Sequence, residues 1–269
     1  MEIIVEYFPG GQIMTSMDEG RRFLRADDWE LWRSLETDQR REIPPPPVEK
    51  PYSEGAQLID LVAPEDLSVG RAPLIDVVRQ RRSRRSFTPA PLTLEELSFL
   101  LWATQGLSGM RLDLGSGDQG VRRHFRTVPS GGARHPFETY LVIRRVEGLE
   151  PGLCRYLPLE HKLYFLGPLA ERQALLDAAW DGRRMLEQSA VVFLWTALPY
   201  RTEWRYTIVA HKIIAQDSGH LCQNLYLACE AIGAGTCAVG AYTQAAVDAL
   251  LGVDGEEEFV IYMAPVGKV

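Results

Sequence analysis

The chain is short of several things that would assign it quickly. Its four cysteines, Cys154, Cys222, Cys229 and Cys237, include no CxxC pair. Zinc-ribbon sites and most redox dithiols need such close pairs, so the thiols are expected as small buried hydrophobes in a reducing cytoplasm. Five histidines, His124, His135, His161, His211 and His220, are scattered, with none at zinc spacing, so no metal site is expected and ordinary polar or packing roles are. No apolar run approaches the roughly 18 residues of a membrane helix. The opening MEIIVEYFPGG carries Glu2 and no basic segment, so no secretory signal is expected. A basic surplus is missing as well. Lys and Arg number 29 against 36 Asp and Glu, a net charge of −7, and the pI is about 5.4. That balance argues against a general nucleic-acid binder, though not against a local basic pocket.

What remains is an ordinary globular composition, 46% hydrophobic in 269 residues, enough for a real core without disulfides. Residues 1–70 read as an arm. EIIVEY (Glu2–Tyr7) alternates weakly like an edge strand, ADDWELWRSLE suits a short helix, and IPPPPVEKP is held extended by Pro44 to Pro47 and Pro51. Residues 71–269 read as the body. Pro73 suits the first turn of a helix through Leu74–Val78. PLTLEELSFLLWATQG is a clearer helix, with a capping box at Thr93 and Glu96 and a stop at Gly106. Residues 107–127 are rich in glycine and arginine and suggest a mobile loop. TYLVIR and AVVFLW are strands by β-branched content, and PLAERQALLDAAW is an amphipathic helix. From Trp204 to Ile232 apolar residues spread round most of a helix, which is expected to be buried in the core or at a dimer interface. TQAAVDALLG and EFVIYMAPVGKV add a helix and a last strand. Helices and strands interleave without regular βαβ alternation, which favours an α+β fold.

Four stretches invite a chemical reading. RQRRSRRSF (Arg79–Phe87) places five arginines between residues 79 and 85, where a helix stops. A solvated patch, a nucleic-acid contact and a seat for a multiply charged anion all fit these residues alone. Guanidinium forks suit bidentate phosphate contacts. TVPSGGARHPFETY (Thr127–Tyr140) places Gly131 and Gly132 where backbone can approach a planar ligand, just before a strand. GAGTCAVGAY (Gly233–Tyr242) is a glycine turn after the long helix, and Lys268 sets a positive charge at the end of the last strand. GSGDQG (Gly115–Gly120) fits G-x-G-x-x-G, but lacks the strand before it and the apolar helix after it that a dinucleotide site needs.

In their order, RRSRRSF, PLTLEELSFLLWATQG, RTVPSGGARHPFETYLVI, GLCRYLPLEHKL, GHLCQNLYLACEAIGAGTC and YMAPVGK resemble the nitroreductase superfamily of FMN flavoproteins over about residues 72–269. The nearest branch in likeness is the SagB-type dehydrogenases, which include azoline dehydrogenases. The resemblance implies a central antiparallel or mixed sheet flanked by helices, a long buried central helix, and a homodimer with FMN at the subunit interfaces. It implies that Arg81, Arg82, Ser83 and Arg85 contact the phosphate and ribityl chain and that Lys268 completes the phosphate site. Pro129, Ser130 and Gly131 would pack on the isoalloxazine, usually from the partner subunit. Gly240 would present its N–H to flavin N5, with Gln105 nearby. Azoline dehydrogenases carry a Lys-Tyr pair at the start of the long helix. Here that place reads Arg205-Tyr206, and an arginine that stays protonated is a poor general base. Arg205 would then bind a carboxylate or stabilise negative charge, while Tyr206 delivers a proton or simply packs. The resemblance therefore implies an FMN-dependent oxidoreductase of two half-reactions, with hydride passing through flavin N5. NAD(P)H is the expected reductant, and a nitroaromatic, quinone or activated alkene the acceptor. The alternatives are a SagB-type dehydrogenase acting on a peptide or amino-acid-derived substrate and a non-catalytic flavin-binding protein. The expected protein works in the cytoplasm, on small molecules, without nucleic acid or membrane.

Overall fold

The computed structural model describes residues 16–113, 121–180 and 183–269. The EIIVEY stretch and the GSGDQG motif lie outside the described residues. The chain begins with α1 (Ser16–Leu24) and α2 (Asp28–Ser34), runs through the proline stretch into β1 (Leu58–Asp60), and then forms α3 (Leu74–Gln80) and α4 (Leu94–Gln105). A hairpin of β2 (Leu107–Asp113) and β3 (Val121–Arg126) precedes β4 (Phe137–Ile143), β5 (Gly152–Leu157) and β6 (Lys162–Pro168). There follow α5 (Gln173–Trp180), α6 (Arg184–Gln188), β7 (Val191–Ala197), α7 (Tyr200–Tyr206), α8 (Ala210–Ala231), β8 (Ala234–Thr236), α9 (Gln244–Leu251) and β9 (Phe259–Lys268).

The main sheet orders its strands β1-β6-β5-β4-β7-β9-β8, all pairs antiparallel. Its two central strands, β4 and β7, are buried at every residue, because helices cover both faces. Alternate side chains serve the two faces. Leu141, Ile143, Phe193 and Trp195 pack with Leu97, Leu101, Leu221 and Leu225 of α4 and α8. Tyr140, Val142, Val192 and Leu194 pack with Leu176, Leu186, Val247 and Leu250 of α5, α6 and α9. This three-layer α+β body is the expected fold class.

The capping box is present as read. Glu96 N donates to Thr93 Oγ1 at 3.1 Å, and Thr93 N donates to Glu96 Oε2 at 2.9 Å. Two expectations need correction. Residues 107–127 are not one loop: β2 and β3 pair antiparallel, with a register shift between Leu107 and Gly109. The long helix is also broken. Thr207 takes φ 41°, ψ −120° between α7 and α8, followed by a 3-10 turn over Thr207–Val209. The run Thr-Ile-Val is β-branched and weak in helix propensity. Helix α8 is long, and it buries one stripe, through Ile213, Ile214, Asp217, Leu221, Cys222 and Leu225. Ala215, Gln216, Gly219 and His220 on its other side are exposed in the single chain, so the expected burial round most of the helix is not met within one chain.

Thr207 combines a backbone region that favours glycine with a buried hydroxyl that has no hydrogen bond among the described residues. Strain of this kind is worth about 1–3 kcal/mol, and glycine forfeits roughly 1 kcal/mol of it through unfolded-state entropy. Thr207→Gly is therefore expected to raise the melting temperature by about 2–4 °C. A melt at or below the parent's would show an unstrained turn.

The proline stretch lies along the body, held chiefly by its carbonyls. Trp204 Nε1 donates to Ile43 O at 2.8 Å, Arg126 Nη2 to Val48 O at 2.9 Å, and Arg155 Nη2 to Lys50 O and Pro51 O, both at 2.9 Å. Prolines supply no N–H, so the body must supply the donors. This is why Arg126 and Arg155 are buried.

Candidate functional site

The arginine turn leaves α3 at Arg81 and runs beside β8. Ser83 bridges Thr236 in parallel, and Arg84 N donates to Thr236 O at 2.9 Å. Extended backbone sends neighbouring side chains to opposite sides. Arg84 turns inward, 3.7 Å from Glu230 and packed so closely over Gly235 that a Cβ there would lie 2.4 Å from Arg84 Cγ. Arg85 is exposed and has no hydrogen bond or ion pair among the described residues. The Arg81 guanidinium lies over the Tyr226 ring, 5.4 Å from its centroid. Arg82 Nη1 donates to Arg79 O and Arg81 O, closing the end of α3, where a cation is favoured. Lys268 reaches the same end of the sheet, but its ammonium is committed to the Glu96 carboxylate and to Ile232 O.

The glycine turn is joined to β9 by the Val239–Met263 bridge. Tyr226 Oη accepts from Ala238 N at 2.8 Å. Gly240 is exposed, and its amide donates no hydrogen bond among the described residues.

The loop at Pro129–Gly131 is clasped by α8. Ser130 Oγ donates to Asp217 Oδ2 at 2.6 Å, and Gly131 N donates to the same oxygen at 3.0 Å. Ser130 Oγ also accepts from His135 N at 2.9 Å, so its hydroxyl is fully engaged in shaping the loop. Burial pushes the Asp217 carboxyl above its ordinary range, while the Ser130 and Gly131 donors pull the other way. A Cβ at Gly131 would lie 2.3 Å from Ile213 Cγ2, so this glycine lets the loop touch α8. Gly132, Ala133 and His135 all have positive φ, a concentration of backbone strain typical of functional loops.

Arg205 and Tyr206 end α7 directly against this loop: a Cβ at Gly132 would lie 2.7 Å from Tyr206 Oη and 3.2 Å from Arg205 Cδ. The arm covers them from the other side. Trp29 and Trp32 of α2 lie 6.0 and 5.9 Å from the Tyr206 ring, and Trp32 Nε1 donates to Arg205 O at 3.2 Å. Both residues remain half-buried, and the Tyr206 hydroxyl has no hydrogen bond among the described residues. Gln105 is 1% exposed and accepts from Arg126 Nη1 at 2.8 Å.

Behind the loop lies a buried charged network. Arg201 Nη2 pairs with Glu138 at 2.5 Å, both residues buried. Burial draws Arg126 down to about 10. His135 falls to about 3, first through burial and then through Arg126, Arg134 and Arg201 around it. Its ring is held neutral. Asp217, His135, Tyr226 and the two tryptophans were not singled out from the sequence. Each acts through contacts between distant segments, and only the W-x-x-W spacing of Trp29 and Trp32 is a local signal.

Among the described residues, no helix is long and apolar enough to cross a membrane. A model of the nitroreductase family matches residues 78–268. A Methanocaldococcus jannaschii protein named as a nitroreductase is 33% identical over 196 residues, 72% of this chain and 90% of that protein. The trifolitoxin-processing protein TfxB of Rhizobium leguminosarum bv. trifolii is 27% identical over 136 residues, 48% of this chain and 36% of that one. The crystal structure of a protein described as a nitroreductase from Anabaena variabilis superposes with a TM-score of 0.68 at 25% identity, over 93% of this chain and 45% of that one. The chain thus spans less than half the length of the latter two. Because the matched segment takes in the arginine turn, the clasped loop, Gly240 and Lys268 together, the chain belongs to the nitroreductase family.

Proposed function

We propose that this chain is an FMN-dependent oxidoreductase. It would take reducing equivalents from NAD(P)H and pass them to a small organic acceptor such as a nitroaromatic, a quinone or an activated alkene, working as a homodimer. The observation that carries the reading is a set of unspent donors on adjoining elements of one sheet end. The Arg85 and Arg81 guanidinia make no ion pair, and the Gly240 amide has no acceptor, among the described residues. A donor set of two guanidinia, a serine hydroxyl and a bare amide fits a phosphate and a polar heterocycle edge.

When bound, FMN supplies two-electron redox chemistry that no side chain offers. Arg81, Arg82, Ser83 and Arg85 would hold its phosphate, with Lys268 joining them at the expense of its Glu96 contact. Gly240 would offer its amide to the ring system. Pro129 and the clasped backbone at Ser130–Gly131 would form a wall, since the Ser130 hydroxyl and Gly131 amide are already occupied by Asp217. Gln105 would act indirectly, by fixing Arg126 behind that wall. Arg205 would bind a substrate carboxylate or offset developing negative charge. The Tyr206 hydroxyl is free to deliver a proton. Residues 1–70 would serve as an arm that brings Trp29 and Trp32 over this corner, with residues 71–269 as the flavin-binding body.

The purified protein is expected to show a two-band flavin spectrum, with FMN released by heat at about one per chain. Anaerobic titration with NADH and NADPH then identifies the donor. A colourless protein that takes up no added FMN would refute the reading. The similarity to TfxB favours a second possibility, a SagB-type dehydrogenase acting on a peptide or amino-acid-derived substrate. It predicts turnover of such a substrate, with flavin reduced by it rather than by NAD(P)H. A flavin-loaded protein that turns over neither class would be a non-catalytic flavin binder.

A further inference from the structure

We infer that Tyr226 of α8 is a positioning residue that aims the Ser83 hydroxyl at the cofactor phosphate, an inference that rests on the proposed FMN reading. Tyr226 touches three separate parts of the candidate site. Its ring face lies under the Arg81 guanidinium, 5.4 Å from ring centroid to Cζ. Its Oη accepts from Ala238 N at 2.8 Å, two residues before Gly240. The same Oη lies 3.2 Å from Ser83 Oγ.

The proton arithmetic gives the contact a direction. A phenol has one hydrogen to donate. Either oxygen could donate across this contact; with the Ala238 amide already donating to Oη, the arrangement that gives the phenolic hydrogen an acceptor sends it to Ser83 Oγ. Ser83, accepting from Tyr226, then turns its own hydrogen away from Tyr226, toward the open side of the turn that Arg85 shares. Ser83 is exposed, and its backbone is fixed on β8 by the bridge to Thr236. The tyrosine therefore sets the hydroxyl rotor, and it ties the phosphate seat to the Gly240 turn through one side chain.

The test uses the full-length chain stripped of flavin and titrated separately with FMN and riboflavin by fluorescence. Tyr226→Phe keeps the ring under Arg81 and removes only the hydroxyl. It is expected to raise the FMN Kd about tenfold, with riboflavin, which lacks the phosphate, changed less than about twofold. In a Ser83→Ala background the same substitution is expected to have little further effect on FMN, the non-additivity of residues acting in series. Equal loss for both flavins, or full additivity with Ser83→Ala, would reduce Tyr226 to a packing role and overturn the inference. Should Tyr226→Phe fail to fold, Ser83→Ala alone decides: it touches only an exposed residue, and unchanged FMN preference over riboflavin would overturn the inference. If the parent binds neither flavin, the proposed function itself fails. If the parent binds FMN tightly and only the variants disagree, the function stands and this inference falls.

Discussion

Arg81→Ala combined with Arg85→Ala is expected to yield a folded protein that purifies largely without flavin. Charge-assisted hydrogen bonds to a phosphate contribute roughly 1.5–3 kcal/mol each. Losing both guanidinia should therefore weaken FMN binding by a hundredfold or more. The fold should change little, because neither guanidinium makes an ion pair among the described residues and the Arg81 stack on Tyr226 contributes about 1 kcal/mol. Arg84→Ala is the informative contrast. Arg84 faces Glu230 and covers Gly235, so its loss should lower thermal stability while sparing much of the flavin. The measurement is flavin absorbance per chain alongside a thermal melt. Full flavin content in the double variant would show that the arginine turn is a surface feature.

Acid should destabilise the protein through one histidine. His135 is 6% exposed and is drawn from 6.5 to about 3 by burial and by Arg126, Arg134 and Arg201, with a hydrogen bond to the His124 backbone opposing them. Above pH 6.5 the ring is neutral in both folded and unfolded chains and contributes nothing to pH dependence. As pH falls below 6.5 the unfolded chain takes up a proton that the folded chain refuses, so stability is lost progressively until the folded group titrates near pH 3. At pH 5 the loss from this residue is about 2 kcal/mol. Asparagine tolerates the positive φ of 48° at this position and does not titrate. In His135→Asn the decline in urea midpoint between pH 7 and pH 5 should be much shallower than in the parent. Parallel declines would mean that the folded ring protonates freely.

How far these features could be read in advance depended on their range. The capping box of α4 is written in neighbouring residues and stands in the structure. The break at Thr207 was hidden because the apolar spacing continues on either side of it. The hairpin at β2–β3 was hidden because LSGMRLD and VRRHFR carry a single β-branched residue between them, Val121. Within the arginine run, the sequence offers five equivalent guanidinia. Only pairing with β8 separates Arg84, turned inward, from Arg85, left outside. Ser130 shows the same limit: its motif points to a ligand contact, yet its hydroxyl is spent on Asp217, 87 residues away. Ligand-facing residues and the residues that brace them carry the same chemistry and differ only in what lies beside them.

The proline strap has a consequence for how this protein can be watched in solution. In residues 43–51 only Ile43, Val48, Glu49 and Lys50 carry an amide hydrogen. Of these, Ile43 donates to Asp38 O and Lys50 to Glu138 Oε1. Amide exchange mapping is therefore nearly blind to the strap, and a release of the whole segment would pass with little mass gained. The reporter sits on the other side of the contact. Trp204 loses its hydrogen bond to Ile43 when the strap lifts, while Arg134 stays stacked 4.6 Å from its ring centroid. A shift in indole emission at unchanged exchange would be the signature of that movement.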